Sequence, residues 1–119
     1  MKRGIVIAMA VLALAVGVAV AEEKFGVPVY PGAKFDAETS KAVRDMMQMK
    51  VACYRTVDPV AKVAVFYQKQ DLSSMGDVTK EGVFFKKRKI DITIQSPWMH
   101  MKTGAIMKDT LISIVQNKE

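Results

Sequence analysis

The chain is poor in the residue types that most often carry chemistry. Its 119 residues include one cysteine, one histidine and one tryptophan. A single cysteine, Cys53, cannot close an internal disulfide, so the domain must be stabilised by packing unless this thiol pairs with another chain. A catalytic relay would have to use His100, and no nucleophile motif surrounds either residue. The sequence also lacks a glycine-rich phosphate loop and a haem attachment motif. It therefore predicts a protein that is not an enzyme and has no resident cofactor.

The first 21 residues have the layout of a secretory signal peptide. Lys2 and Arg3 supply a positive start, residues 5–18 are an unbroken apolar run, and Ala19 and Ala21 form a signal-peptidase site. A membrane anchor is the alternative, because the 18 uncharged residues from 4 to 21 are just long enough to span a bilayer. Anchors usually carry positive charge where these small residues lie, so we expect cleavage after Ala21.

The predicted mature chain, residues 22–119, is long enough for a single domain and too short for two. We expect this domain in the periplasm or outside the cell. Its net charge falls from +6 to +4 once Lys2 and Arg3 are removed. Because this charge is small and exported proteins rarely meet nucleic acid, a nucleic-acid partner is not expected.

The clearest structural signal is a strand that passes directly into a helix. Residues 49–57 alternate, which places Met49, Val51, Cys53 and Val57 on the predicted core face, with Arg55 the one charged residue in that row. The helix is expected to begin at Asp58 and Pro59, as N-cap and first helical residue, and to end before Gly76.

The remaining segments predict one further helix and three further strands. Asp36 is a suitable cap for a short helix over residues 37–47, and Pro31 with Gly32 suits a type II turn. Strands are expected over residues 81–86, 90–95 and 110–115, the last in the interior of the sheet because both its faces are apolar. The predicted fold is α+β: a mostly antiparallel four-stranded sheet with one long helix on one face (β-α-β-β-β), preceded by a short N-terminal helix.

Two motifs resemble those of a group of small exported bacterial proteins. The chain opens with Val-Pro-Val-Tyr-Pro-Gly-Ala over residues 27–33, and the helix carries the Val-x-x-Phe-Tyr pattern from Val63 to Tyr67. Periplasmic proteins and lipoproteins with a Tyr-Pro-Gly-Ala opening share both features, and the likeness covers residues 27–76. It implies an exported location and a small fold, and it transfers no catalytic residue.

Methionine and tryptophan mark the candidate site. Seven of the nine methionines lie outside the signal segment, with Met46, Met47 and Met49 in one group and Met99 and Met101 around His100 in another. We interpret the loop of Trp98, Met99, His100 and Met101, together with Lys87 and Arg88 of a basic hairpin turn, as a contact for a partner protein or envelope component. For Met46, Met47 and Met49 the plainest alternative is packing in the core. For Trp98, Met99, His100 and Met101 it is a loop folded over the open side of the sheet.

A copper site is the second functional hypothesis. Thioethers and imidazole are ligands that suit Cu(I), so Met99, His100 and Met101, with Met47 or Met49, form a candidate copper-binding set for a carrier or sensor. An extended Met-His-Met segment places the two sulfurs on one side and the imidazole on the other, which disfavours binding of one ion by all three. The sequence therefore predicts an exported, non-enzymatic binding domain, with membrane-surface contact, oligomeric state and pairing of Cys53 left open.

Overall fold

A computed structural model describes residues 22–117 of the chain. The predicted signal peptide, residues 1–21, lies outside the described residues. Within the described part, no helix is long and apolar enough to cross a membrane.

The described chain contains two helices and ten strands, four of them longer than two residues. The helices are α1 (Ala37–Met47) and α2 (Val60–Gln68). The strands are β1 (Glu23–Lys24), β2 (Val27–Pro28), β3 (Lys34–Phe35), β4 (Lys50–Thr56), β5 (Ser73–Ser74), β6 (Gly82–Lys87), β7 (Ile90–Gln95), β8 (Trp98–Met99), β9 (Ile106–Met107) and β10 (Thr110–Gln116).

The prediction of a four-stranded sheet with one long helix is wrong, although the fold is α+β. The main sheet has six antiparallel strands in the order β3-β4-β10-β7-β6-β5, and β1-β2 and β8-β9 form two small hairpin sheets. The four longer strands are the predicted ones. The two extra strands, β3 and β5, are two-residue edges, too short to show an alternation in the sequence. β10 is an interior strand, as its two apolar faces predicted.

The predicted long helix is short. α2 ends at Gln68, and the chain then turns so that Ser73 and Ser74 pair with β6. Between Gln68 and Gly76 only Leu72 and Met75 are apolar, which is too little to hold two further helical turns against the sheet. Gly76 follows the edge strand β5 and does not end the helix. The predicted N-cap is also wrong: Pro59 is the cap, and the Asp58 carboxylate accepts a 2.6 Å hydrogen bond from the Tyr30 hydroxyl.

Two local predictions are confirmed. α1 spans residues 37–47, and the Asp36 side chain caps it by accepting from the Thr39 amide at 2.9 Å. The turn at Pro31 and Gly32 is closed by a 3.1 Å hydrogen bond from the Ala33 amide to the Tyr30 carbonyl, and Gly32 has φ of +87°. A type II turn requires a positive φ at that position, which glycine adopts without strain.

The two faces of the main sheet differ. One face, here called the closed face, packs against α2 and the residues that follow β1. It holds the larger core: Val27, Val29, Tyr30, Ala52, Tyr54, Val60, Val63, Ala64, Tyr67, Val83, Phe85, Ile90, Ile92, Ile94, Ile112 and Ile114.

The other face, here called the open face, is covered by α1 and the β8-β9 hairpin. Its smaller cluster comprises Val51, Cys53, Trp98, Leu111 and Val115. The core was predicted on this face, and the prediction is right for Val51 and Cys53, which are buried here. It is wrong for Met49, which is only partly buried, and for Val57, which is 91% exposed. The larger core lies on the closed face, where the strand contributes Ala52 and Tyr54.

Candidate functional site

A groove of about 360 Å³ crosses the open face between α1 and the β8-β9 hairpin. Thr39, Val43, Met46 and Met47 follow a helical spacing and form the α1 wall. The opposite wall consists of Trp98, Met99 and Met101. Residues of the three longer strands β6, β7 and β10 form the rest of the lining: Phe84, Asp91, Thr93, Gln95, Leu111, Ser113 and Val115. We call this site the methionine groove.

The methionines of the groove are exposed to solvent. The exposed fraction is 64% for Met46, 38% for Met47, 59% for Met99 and 44% for Met101. Met46 and Met47 therefore do not fill the core, as the packing alternative required, whereas Met49 does pack against the open-face cluster. A contiguous apolar surface with adaptable thioether side chains is a common feature of protein-binding sites.

The hairpin wall is held in place by Trp98, which is only 2% exposed. Its indole N–H donates to Asp109 Oδ1 at 2.9 Å, and the Arg55 guanidinium lies 5.1 Å from the ring centroid. Burial of this ring fixes the hairpin to the sheet, so Trp98 is part of the groove's structure. The burial of Trp98 agrees with the alternative of a loop folded over the open side of the sheet, and it leaves the indole unavailable as a contact for a partner.

Arg55 connects the hairpin wall to α1 through two carboxylates. Its Nε lies 2.8 Å from Asp109 Oδ2, and its Nη1 lies 3.4 Å from Asp36 Oδ2. The hydrogen bond and charge of Asp109 raise the pKa of Arg55. Burial alone would raise the pKa of Asp36, but hydrogen bonds from Thr39 and the charge of Arg55 outweigh burial and lower it. Arg55 and Asp36 are therefore both charged at neutral pH.

His100 has a structural position on the far side of the hairpin. Its Nδ1 accepts from the amides of Lys102 at 3.3 Å and Thr103 at 3.4 Å, so the proton of the neutral ring is on Nε2, which lies 3.3 Å from Glu38 Oε1. Glu38 also pairs with Lys102 at 2.9 Å, and this hydrogen bond and charge lower the pKa of Glu38. Both ring nitrogens of His100 are thus engaged.

The imidazole and the two neighbouring sulfurs face different cavities. His100 lines a cavity of about 670 Å³ with Asp36, Glu38, Arg55 and Asp109, whereas Met99 and Met101 line the methionine groove. The predicted copper set of Met99, His100 and Met101 is therefore not brought together. Met49, offered as a further ligand, packs against the open-face cluster, while Met47 does line the groove.

Lys87 and Arg88 lie away from the other predicted site residues. They belong to the β6-β7 turn, where Lys87 pairs with Ile90, whereas Trp98 follows the opposite end of β7. Six residues of extended strand separate these ends by about 17 Å. The basic turn borders a separate cavity with Asp71, Leu72 and Met75. The predicted contact surface is therefore two separate surfaces.

Cys53 is buried and free. Its sulfur lies 3.5 Å from Ser113 Oγ, and burial raises the pKa of the thiol. Because a buried, protonated thiol is inert, pairing with another chain would require the open-face core to separate first.

Sequence reasoning missed several groups that build the site. Arg55 was noted only as a charged exception in an apolar row, and Asp109 and Glu38 were not singled out. A charged residue in the middle of an otherwise buried strand was the available signal, because such a residue needs partners. Thr39 was also missed: its buried hydroxyl lines the groove and has no hydrogen-bond partner among the described residues.

Comparisons of the chain with protein-family models, with curated proteins and with solved structures find no match. Among residues 22–117, no three His, Cys, Asp or Glu side chains lie close enough together to hold a metal ion. The resemblance to small exported bacterial proteins stays a prediction.

Proposed function

We propose that this protein is an exported, non-enzymatic domain that binds an apolar segment of a partner protein of the cell envelope in the methionine groove. The observation that carries the proposal is the difference in cover between the sheet faces. On the closed face the inward side chains are buried under α2, while on the open face four methionines border a groove that remains accessible.

The chemistry of the groove suits a polypeptide segment. Methionine side chains are flexible and polarizable, so they can repack around apolar side chains of different shape. The partly exposed polar side chains of Thr93 and Gln95 offer hydrogen bonds to the polar backbone of such a segment. The rigid hairpin and α1 keep the two walls apart before binding, which lowers the ordering cost of association.

The non-enzymatic part of the proposal is supported by the positions of the reactive groups. The ring nitrogens of His100 are engaged by two main-chain amides and Glu38, and Cys53 is buried. The carboxylates of Asp36 and Asp109 are paired with Arg55. Each of these groups has a structural role, and none faces the methionine groove as a nucleophile or a general base.

Photo-crosslinking in intact cells tests the proposal. A photoreactive residue is placed at Met46 or at Met99, on opposite walls of the groove, and at Val65 as an exposed control on α2. We expect the same partner adduct from both groove positions and none from Val65. A Met99→Glu substitution should abolish the adduct formed at Met46, because binding would then desolvate a charge.

The matched control for this substitution is Val65→Glu, which should leave the adduct at Met46 unchanged. Equal crosslinking from Val65 and from the groove, or an adduct at Met46 that survives Met99→Glu, would rule out the groove as the binding site.

A further inference from the structure

The structure brings together methionines from two distant parts of the sequence. Met46 and Met47 come from the end of α1, and Met99 and Met101 come from the hairpin wall. Each is more than one-third exposed, so hydrophobic burial does not account for the presence of four thioethers in one small groove. This set differs from the copper set predicted from the sequence. It combines thioether sulfurs from both walls of the groove and includes no imidazole nitrogen.

We propose that the methionine groove binds one Cu(I) ion through the thioethers of Met46, Met47, Met99 and Met101. Neutral thioether sulfur is a soft ligand that suits Cu(I), whereas Zn(II) is held by thiolate, imidazole or carboxylate ligands and Cu(II) favours nitrogen and oxygen. Cu(I) has a filled d shell, so it imposes no strict geometry on its ligands. The methionine side chain is unbranched with three rotatable bonds, which allows the sulfurs to converge on an ion between the walls.

The neighbouring polar groups do not compete for the ion. The imidazole of His100 lies in the other cavity, with Nδ1 bound to main-chain amides and Nε2 beside Glu38. The carboxylate at the groove, Asp91, accepts from Lys86 at 2.9 Å and from Asn117 at 2.7 Å. The remaining oxygen atoms of the lining belong to neutral hydroxyls and one amide, which are hard ligands and bind Cu(I) weakly. Sulfur is therefore the soft donor of the groove, and this favours Cu(I) over harder cations.

Anaerobic competition with the chromogenic Cu(I) complex of bicinchoninate tests the site. The protein is purified after expression of the full chain and titrated into the complex, whose colour reports the copper it retains. We expect the protein to withdraw one equivalent of Cu(I). Two double variants remove the sulfurs of one wall each: Met99→Leu with Met101→Leu, and Met46→Leu with Met47→Leu. Each should weaken Cu(I) binding by more than about tenfold, the smallest loss expected when a residue that only supports a metal ligand is changed.

Three controls make the result specific. Leucine preserves volume, and circular dichroism should show that both double variants fold like the parent protein. Met75→Leu removes an exposed thioether outside the groove and should leave affinity unchanged. His100→Asn removes the imidazole but retains an acceptor for the Lys102 and Thr103 amides, so this variant should also bind Cu(I) as the parent does.

Failure of the protein to compete for Cu(I), or full affinity in either double variant, would overturn the thioether site. Loss of affinity in His100→Asn would overturn it as well, in favour of a mixed sulfur and imidazole site. The proposal does not depend on the partner-binding function. The crosslinking experiment is carried out without added copper and reads a different signal, so the two proposals can fail separately.

Discussion

The two faces of the main sheet are covered to different extents although they belong to the same strands. On the closed face, side chains of α2 lie over Ile92, Ile94, Ile112 and Ile114, which are all fully buried. On the open face, Trp98 and α1 cover part of the surface, and the methionine groove leaves the rest accessible. We infer that the closed face supplies most of the stability, and that the open face has kept room for a ligand.

The largest expected effect comes from Trp98, the one large side chain buried on the open face. Trp98→Ala should lower the free energy of unfolding by about 3–5 kcal/mol, because it removes the contacts that hold the hairpin to the sheet. Urea denaturation measures this change. Trp98→Phe is the matched control, since it keeps an aromatic ring and loses the hydrogen bond to Asp109. If Trp98→Ala lowered the free energy of unfolding no more than a substitution at an exposed residue does, the hairpin would be held by other contacts.

Truncation of one inward side chain on each face should distinguish the two faces directly. Ile92→Ala, on the closed face, should cost about 2–5 kcal/mol of unfolding free energy, whereas Met99→Ala, in the groove, should change it by less than about 0.5 kcal/mol. Equilibrium denaturation of both variants provides the comparison. A Met99 effect as large as that of Ile92 would show that the groove methionines contribute to the core.

The third prediction concerns Asp36, which supports the α1 wall of the groove. Asp36→Ala should lower the unfolding free energy by about 0.5–2 kcal/mol through loss of the helix cap. Asp36→Asn keeps an acceptor for the Thr39 amide and removes the charge beside Arg55. If thermal denaturation shows the two variants to be equally unstable, the ion pair with Arg55 is the main contribution instead of the cap.

The smallest expected effect lies on the closed-face side, at Tyr30. Burial and the hydrogen bond to Asp58 raise the pKa of Tyr30 to about 12 from 10.0. With its pKa raised, Tyr30 holds its proton more tightly in the folded state than in the unfolded state. The stabilisation of the fold that results is complete below pH 10 and is lost as the pH rises towards 12. Tyr30→Phe should cost about 1 kcal/mol near pH 7 and should reduce the loss of stability between these pH values.

Denaturation at a series of alkaline pH values measures the Tyr30 effect. Tyr54 provides an internal comparison, because burial and the charge of Glu22 also raise its pKa to about 12. A Tyr30→Phe protein with the same alkaline profile as the parent would mean that other groups, such as Tyr54, dominate that loss.

The elements with strict local patterns could be predicted from the sequence. β7 alternates apolar and polar residues throughout, and α1 begins at a capping aspartate, so both were predicted with the correct bounds. The end of α2 was missed because Leu72 continues the apolar count of a helix. In the structure Leu72 packs against the core from the segment after α2, which only the neighbouring strands determine.

The candidate site could be predicted only in part. Met99 and Met101 attract attention as neighbours in sequence, but their position beside Met46 and Met47 depends on where α1 crosses the sheet. The burial of Trp98 depends in the same way on Asp109 and Arg55, which are distant from each other in the chain. Composition therefore indicated a methionine-rich site, whereas the division of its residues between two cavities required the three-dimensional arrangement.

The position of β10 has a consequence for how this domain is made. β10 pairs with β4 on one side and β7 on the other, so it joins the two halves of the main sheet. It is also the last of the six strands to leave the ribosome. Until it arrives, β3 and β4 are separated from β5, β6 and β7, and neither half has a complete sheet to pack on. The nascent chain should therefore stay open until late in synthesis, which suits the export that we propose for it.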